Sequence, residues 1–341
     1  MAPVLTHSNR SRHLAAGLAL LLALMVLMAL ASLAVGARAI PLGEVINALF
    51  DPGTTGTNAT ILRDLRIPRT LLALLVGAAI GLSGAIMQGV TRNPLADPGL
   101  LGINAGAALF VVLGISIVGL TTLTAYVWLG FAGAAIATVL VYAVASLGRE
   151  GATPIKLALA GAAITAAFGS ITTGVLMTDA TTLDAFRFWQ VGSLAGRGTD
   201  ILVSVTPFLT AGIVLALVTG RLLDAMALGD DIARGLGQRV LLSRCVAALA
   251  WIVLAGGATA AAGPIAFVGL TVPHAARAIT GPTYRWILPY SAVMAPILLL
   301  GADILGRVLA PPGELQVGIV TAALGAPLFI LLVRRRRLAE L

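Results

Sequence analysis

The sequence of 341 residues is 59% apolar, and only 11% of its residues are charged. Soluble domains carry about a quarter charged residues and just under half apolar ones, so this composition excludes a water-soluble protein. The formal net charge is +8, and every basic residue except Lys156 is an arginine. In a membrane protein this excess reflects loop orientation and attraction to anionic lipid, so we expect no nucleic-acid partner.

Apolar runs along the chain predict an all-α integral membrane protein with about ten transmembrane helices in a single domain, residues 1–341. Each run is near the roughly 20 residues that cross a bilayer. The eighth run is short and is interrupted by Gly269 and Pro273. The predicted spans are 14–36, 70–90, 103–119, 122–147, 157–178, 201–222, 241–262, 265–280, 286–309 and 315–333.

The distribution of basic residues predicts the orientation of these spans. With both termini cytoplasmic, 15 basic residues fall inside and seven outside, as the positive-inside rule requires. The run Arg334–Arg337 then fixes the last helix at the inner surface. A cleaved signal peptide within residues 1–38 would leave nine spans, but its apolar stretch of about 23 residues exceeds a cleaved h-region, so we expect a retained helix.

Short helices are predicted outside the spans. Residues 41–50 and 184–191 are typical of interfacial helices. Between the sixth and seventh spans, residues 223–240 contain two short helical pieces with exposed apolar side chains, which indicates a cytoplasmic docking surface for a partner protein. Its predicted residues are Leu228, Gly229, Asp230, Asp231, Ile232, Ala233, Arg234, Gly235, Leu236 and Gly237.

Two interruptions follow the second and seventh spans. Proline removes a backbone donor, and in lipid the freed groups are tolerated only inside protein or beside a water-filled cavity. Because the two spans run in opposite directions, the breaks indicate an inverted repeat around a transport pathway, although each can also be a simple turn. His274 is either a proton relay, a cap on freed backbone or a residue that faces the cytoplasmic mouth. The segments contain Asn93, Pro94 and Pro98, and Pro264, Pro273 and His274.

Small residues line the fifth and tenth spans, where they permit either close helix packing or a wide passage. We expect a pathway there, with Gly161, Thr165 and Gly169 on the fifth span and Gly318, Thr321 and Gly325 on the tenth.

Arginines also cluster on the outer side, against the positive-inside preference. Arg63, Arg66 and Arg69 precede the second span, and Arg307 ends the ninth. Guanidinium groups bind carboxylates in bidentate fashion, so these residues predict docking of an acidic partner, with phospholipid headgroups as the alternative.

No catalytic set emerges. Lys156 is followed by Leu157, so the chain lacks the Lys-Ser/Thr pair of a Walker A loop. Asp303 is the one clear intramembrane acid, and it stands four residues before Arg307, as in a helical ion pair. Cys245 is the only cysteine and the histidines are scattered, so we expect no metal and no cofactor on this chain. Uphill transport must then draw its energy from another subunit.

Five stretches together resemble the permease subunits of type II ABC importers, the family that carries iron–siderophore complexes, haem and cobalamin. They are SGAIMQGVTRNPLADPGLLGINAGA at 83–107, WQVGSLAGR at 189–197, LGDDIARGLG at 228–237, GPIAFVGLTVPHAARAITGP at 263–282 and GELQVGIVTAALGAPLFI at 313–330.

This resemblance implies two permease subunits, identical or different, with two cytoplasmic ATPases that bind ATP–Mg and a periplasmic or lipid-anchored binding protein. By position, residues 228–237 match the segment that seats the ATPase, and Arg66, Arg69 and Arg307 match arginines that pair with glutamates of the binding protein. Helices five and ten match those lining the pathway. Thr153, Pro154 and Ile155 fall near the cytoplasmic gate.

We therefore expect a non-enzymatic permease of an ATP-driven Fe(III)–siderophore importer in the bacterial cytoplasmic membrane. The alternatives are the same machinery carrying cobalamin or haem, an ion-coupled secondary carrier, or a membrane scaffold.

Overall fold

The computed structural model describes residues 7–36, 38–51, 53–147, 153–311 and 313–335, and every element in these ranges is helical. Ala37, Arg149, Arg336 and Arg337, which entered the predictions on cleavage and orientation, lie outside the described residues. The α-helices are α1 (His7–Ala34), α2 (Leu42–Phe50), α3 (Thr57–Thr60), α4 (Ile67–Thr91), α5 (Ile103–Val118), α6 (Leu123–Ala145), α7 (Pro154–Thr178), α8 (Ala180–Gln190), α9 (Thr199–Val218), α10 (Gly220–Ala227), α11 (Asp230–Gly235), α12 (Val240–Ala262), α13 (Val268–Thr280), α14 (Tyr284–Leu309) and α15 (Val317–Arg335). A π-helical turn (Ile61–Arg66) joins α3 to α4, and a 3₁₀ turn (Pro98–Leu101) precedes α5.

Each of the ten predicted spans corresponds to one of these helices: α1, α4, α5, α6, α7, α9, α12, α13, α14 and α15. In the described part of the chain, seven helices are long and apolar enough to cross a membrane. The other three, α5, α13 and α15, are shorter or less uniformly apolar. The prediction of an all-α membrane protein is confirmed.

Helix α4 forms the centre of the bundle and packs against α14, α12, α13 and α9. Its sequence allows this because residues 70–91 carry no charged side chain. Glycines bring the neighbouring backbones close: a Cβ on Gly77 would lie 2.6 Å from the Cα of Pro296 in α14. A helix that is apolar on all sides is expected in the interior of a bundle, and α4 is placed there.

Helix α7 lies at the edge of the bundle, and most of its length is exposed. The Thr153 hydroxyl accepts a hydrogen bond from the Lys156 amide at its start, with Pro154 in the first helical position. Thr153 therefore acts as an N-cap, and proline costs nothing there because its missing donor has no helical partner.

The two predicted interfacial helices are present as α2 and α8. Helix α2 buries Val45 and Ala48 and leaves Leu42 and Phe50 exposed. In α8, Phe186 and Trp189 are buried while Phe188 is exposed. Both helices thus place one apolar side against the bundle and present another, as helices at a membrane surface do.

Candidate functional site

The two interruptions of the apolar pattern lie side by side in the structure. The first follows α4, where Arg92 takes a left-handed conformation and the chain then forms the 3₁₀ turn. The second comprises Gly263–Phe267, between α12 and α13. The Gln88 side chain of α4 donates to the Leu270 carbonyl of α13 at 3.2 Å. The helices that flank the two breaks, α4 and α13, are therefore joined, while the relation of the breaks as an inverted repeat stays a prediction.

The second break is shorter than the sequence predicted. Pro273 and His274 lie inside α13, five and six residues after its first residue, so their assignment to the broken segment is corrected. Pro273 has no amide proton, which leaves the Gly269 carbonyl without its helical donor. That carbonyl points at Gly84 of α4, where only a residue without a Cβ leaves space for it. His274 is buried within the bundle.

Backbone groups at the second break are satisfied by protein, as the membrane setting requires. The Ser193 amide donates to the Ala262 carbonyl at 2.7 Å, and the Gly318 amide donates to the Gly192 carbonyl at 3.0 Å. The loop after α8 therefore connects the end of α12 to the start of α15. Phe267 takes a left-handed conformation and packs against Gly325 of α15.

The predicted pathway residues divide between exposed and buried positions. On α7, Ile155 and Thr165 are exposed, Gly169 is half-buried and Gly161 is buried. On α15, Gly318, Thr321 and Gly325 are buried against the loop after α8 and against the second break. The exposed members of the predicted pathway set are thus found only on α7.

Asp303 is the centre of a buried ion cluster at the predicted outer end of the bundle. It is 1% exposed and lies 2.7 Å from Arg69 and 3.2 Å from Arg307. Arg69 also reaches Glu314, at 2.7 Å, in the segment before α15. The i,i+4 pair of Asp303 and Arg307 is confirmed. Sequence reasoning missed Arg69 as its partner because 234 residues separate the two.

The other outer arginines are engaged with backbone carbonyls. Arg66 is buried and donates to the carbonyls of Leu33 and Ala34 at the end of α1. Arg307 donates to the Ser32 carbonyl of the same helix, and Arg63 donates to the Asp51 carbonyl after α2. In this conformation they stabilise helix C-termini, where cations are favoured. Their docking role stays a prediction.

A cavity of about 580 Å³ opens above the cluster and is lined by five arginines. These are Arg38, Arg66, Arg69, Arg197 and Arg307. Arg197 is 5% exposed, and its Nη1 has no hydrogen-bond partner among the described residues. Burial lowers the pKa of the Arg197 guanidinium to about 10, against a smaller opposing effect of Asp200. The sequence predicted no role for Arg197, because the other arginines of the cavity are distant from it in the chain.

We expect Arg197→Met to stabilise the protein by about 1–4 kcal/mol, since replacing a buried charge by an apolar group of similar volume removes its desolvation cost. The folded-state pKa lies below the unfolded one, so this cost is present in full below about pH 10 and is relieved as pH rises through that value. The apparent melting temperature in detergent at pH 7 measures the gain. Arg187→Gln, at an exposed position, serves as the control. A lower melting temperature for Arg197→Met would contradict the expectation.

The predicted docking surface consists of α10, α11 and the turns around them. Leu228, Ile232 and Leu236 are 59%, 55% and 67% exposed, as the sequence indicated. Three exposed apolar side chains within nine residues, on α11 and directly after α10 and α11, suit a contact with another protein, because large apolar side chains are otherwise mostly buried.

Asp230 fixes this surface to the bundle. It pairs with Arg92 at the end of α4 and with Arg244 of α12, the latter at 2.8 Å. Arg92 also donates to the Met226 carbonyl of α10 at 2.9 Å. Asp231, by contrast, is 97% exposed and pairs with Arg234 on its own helix. The docking surface is thus tied directly to the first interruption, a link that the sequence could not reveal.

A bundle of apolar helices with paired backbone breaks, a cavity lined by arginines and an exposed apolar docking surface is typical of a multi-pass membrane transport subunit. The comparisons with known proteins specify which one. The chain belongs to the FecCD transport family, whose model matches residues 23–335. It is a permease of the type II ABC importers and resides in the bacterial inner membrane, as predicted.

The chain is similar along almost its whole length to permeases of named iron transport systems. It is 45% identical over 317 residues to the ferric enterobactin transport system permease protein FepD of Escherichia coli, covering 93% of this chain and 94% of that one. It is 41% identical over 320 residues to the iron(3+)-hydroxamate import system permease protein FhuB of Bacillus subtilis, covering 93% and 82%.

A solved structure of a metal-chelate type ABC transporter in an inward-facing conformation has the same fold. The TM-score is 0.81 at 27% sequence identity, and the match covers 94% of this chain and 99% of that one. Membership in this class implies ATPase and permease partner components and a binding protein.

Proposed function

We propose that this chain is the permease of an ATP-driven, binding-protein-dependent importer of an Fe(III)–siderophore complex. The observation that carries the proposal is the near full-length match to permeases named for ferric enterobactin and iron(3+)-hydroxamate. The small number of iron-binding side chains, three histidines and one cysteine, agrees with the proposal. The siderophore itself binds the iron, so the permease need only enclose the complex.

The working assembly contains two permease chains, identical or different, two cytoplasmic ATPases that bind ATP–Mg, and an outer binding protein. ATP hydrolysis belongs to the partner, and this chain holds no cofactor of its own. Closure of the ATPases would displace α10 and α11, and the contact from Asp230 to Arg92 would carry this motion to the first interruption. Outside, Arg63, Arg66, Arg69 and Arg307 would exchange carbonyl and Asp303 contacts for carboxylates of the binding protein.

The direct test is uptake into proteoliposomes that contain this permease together with its partner permease, ATPase and binding protein. We expect ATP-dependent accumulation of a radio-iron catecholate or hydroxamate siderophore, and ATPase stimulation by the loaded binding protein. Accumulation of cobalamin or haem instead would identify the alternative cargo. Accumulation without any ATPase would identify a secondary carrier and overturn the proposal.

Asp230→Asn should reduce uptake, because it removes the carboxylate that joins α11 to both α4 and α12. Each of these partly exposed ion pairs contributes about 1 kcal/mol to the attachment of α11 to the bundle. If uptake depends on that attachment, losing both pairs should lower uptake about tenfold or more while the bundle stays folded. Asp231→Asn is the matched control, since it alters the neighbouring carboxylate but leaves both ion pairs of Asp230 intact. Equal uptake by the two variants, measured at equal ATPase occupancy, would contradict the coupling role.

Gly169→Leu tests the predicted pathway on α7. A Cβ at Gly169 meets nothing within 4 Å, so the fold accepts a larger side chain there. We expect an unchanged melting temperature and uptake reduced about tenfold or more, because the leucine would occupy space that the chelate needs. Ala132→Leu, on the exposed side of α6, is the control and should leave uptake intact. Normal uptake by Gly169→Leu would remove α7 from the pathway.

A further inference from the structure

An apolar cavity of about 420 Å³ opens between α4, α6, α7 and α12 near the predicted cytoplasmic surface. Its walls include Tyr142, Leu157, Leu249 and Ile252, with Arg244 at one end. Leu249 is 55% exposed, so the cavity is open at the side of the bundle rather than enclosed. In a membrane, an open apolar cavity of this kind faces lipid acyl chains.

A second cavity, of about 380 Å³, adjoins the first, and three of its six lining residues are arginines. Arg234, Arg239 and Arg244 line it, and Arg244 belongs to both cavities. The cationic cavity also lies at the start of α12, whose first turn has no acidic residue and no capping side chain. Free amide groups at a helix start add partial positive charge, so the cavity favours an anion.

The neighbouring carboxylates leave part of this charge unneutralised. Arg234 is paired with Asp231, and Arg244 with Asp230, while Asp230 is shared with Arg92. Arg239 is exposed and makes no ion pair among the described residues. Four arginines therefore face two carboxylates, and Arg239 is available to a phosphate.

We propose that the two cavities together bind an anionic phospholipid of the cytoplasmic leaflet, with its phosphate between Arg239 and Arg244 and an acyl chain in the apolar cavity. From Arg244 to Ile252 the rise along α12 is about 12 Å, close to the depth of one leaflet, about 15 Å. The distance along α12 from the arginine to the far end of the apolar wall thus matches the distance from a lipid headgroup to the end of its acyl chain. Arg244 also pairs with Asp230, so the proposed lipid site adjoins the ion pair that joins α11 to α12.

Cys245 provides a probe of occupancy, because it is the only cysteine, is exposed and lines the apolar cavity. The rate of maleimide modification is measured in mild detergent during titration with phosphatidylglycerol or phosphatidylcholine. We expect phosphatidylglycerol to slow the reaction at concentrations where phosphatidylcholine does not. Arg239→Gln should raise the half-protecting concentration about fivefold, as expected for one lost arginine–phosphate contact.

Arg221→Gln is the matched control, since it removes one exposed cation from the same side without lining either cavity. It should leave protection unchanged. Native mass spectrometry of the purified protein supplies a second readout, with less retained phosphatidylglycerol expected in Arg239→Gln than in the unaltered protein and in Arg221→Gln. Equal protection by the two lipids, or unaltered protection in Arg239→Gln, overturns the proposal. Efficient Cys245–Cys245 cross-linking in membranes also overturns it, because a second copy would then cover the cavity.

Discussion

Asp303→Asn is expected to destabilise the protein by about 3–5 kcal/mol, the usual cost of removing one member of a buried ion pair. Asp303 is almost fully buried and neutralises parts of two guanidinium groups, those of Arg69 and Arg307. Asparagine keeps the volume but removes the charge. Glu314 remains for Arg69, while Arg307 keeps its carbonyl and hydroxyl contacts with α1.

The measurement is the apparent melting temperature of the purified protein in detergent, which should fall by roughly 10 °C. Asp184→Asn is the matched control, because Asp184 forms an exposed ion pair with Arg187 and such pairs contribute at most about 1 kcal/mol. Adding Arg307→Gln to Asp303→Asn should cost less than the two single changes together, since the second change removes the charge that the first left unpaired. A strictly additive double variant, or equal shifts for Asp303→Asn and Asp184→Asn, would show that the cluster is not electrostatically coupled.

The positions of the spans could be predicted from the sequence because membrane helices are specified by local composition. Apolar runs of sufficient length have no other stable structure in lipid, so all ten predicted runs correspond to helices. The exposed apolar side chains of the docking surface were predictable for the same reason: glycines and acids interrupt the pattern at Gly229 and Gly235. These features depend on neighbours in sequence.

The ion pairs could not be predicted because they depend on which helices meet. Asp230 looks like a helix-start acid, and nothing local indicates that Arg92, 138 residues away, binds it. Likewise, nothing local indicates that Arg66 and Arg307 donate to the open carbonyl end of α1. Helix ends need donors, and that need is visible only once the ends are placed together.

Pro273 illustrates a different limit. Proline disfavours helix interiors, so the sequence predicts a break that reaches as far as His274. In the structure the helix continues through Pro273, because the carbonyl that loses its donor is accommodated by contact with Gly84 on the neighbouring helix. Two residues 189 positions apart in the printed sequence thus form one structural feature.

Gly84→Ala is therefore expected to be among the most damaging single-methyl additions to this protein. The new Cβ would collide with the Gly269 carbonyl, a backbone group that cannot rotate away, so α13 would have to move from α4. The expected loss of stability is about 3 kcal/mol or more, at the upper end for overpacking. The displacement would also weaken the contact from Gln88 to Leu270, which joins α4 to α13. Thermal unfolding and ATP-driven uptake should both be impaired.

Gly174→Ala is the control, and it should raise the stability of the protein instead of lowering it. Gly174 lies in the interior of α7, and a methyl group added there would meet nothing within 4 Å, so alanine should stabilise the helix by about 0.5–1 kcal/mol. The decisive variant is Gly84→Ala combined with Pro273→Ala. Alanine at 273 restores an amide that can hold the Gly269 carbonyl along α13 and away from α4, so part of the lost stability should return. If Pro273→Ala makes Gly84→Ala no better, the damage at Gly84 does not come from the carbonyl that Pro273 sets free.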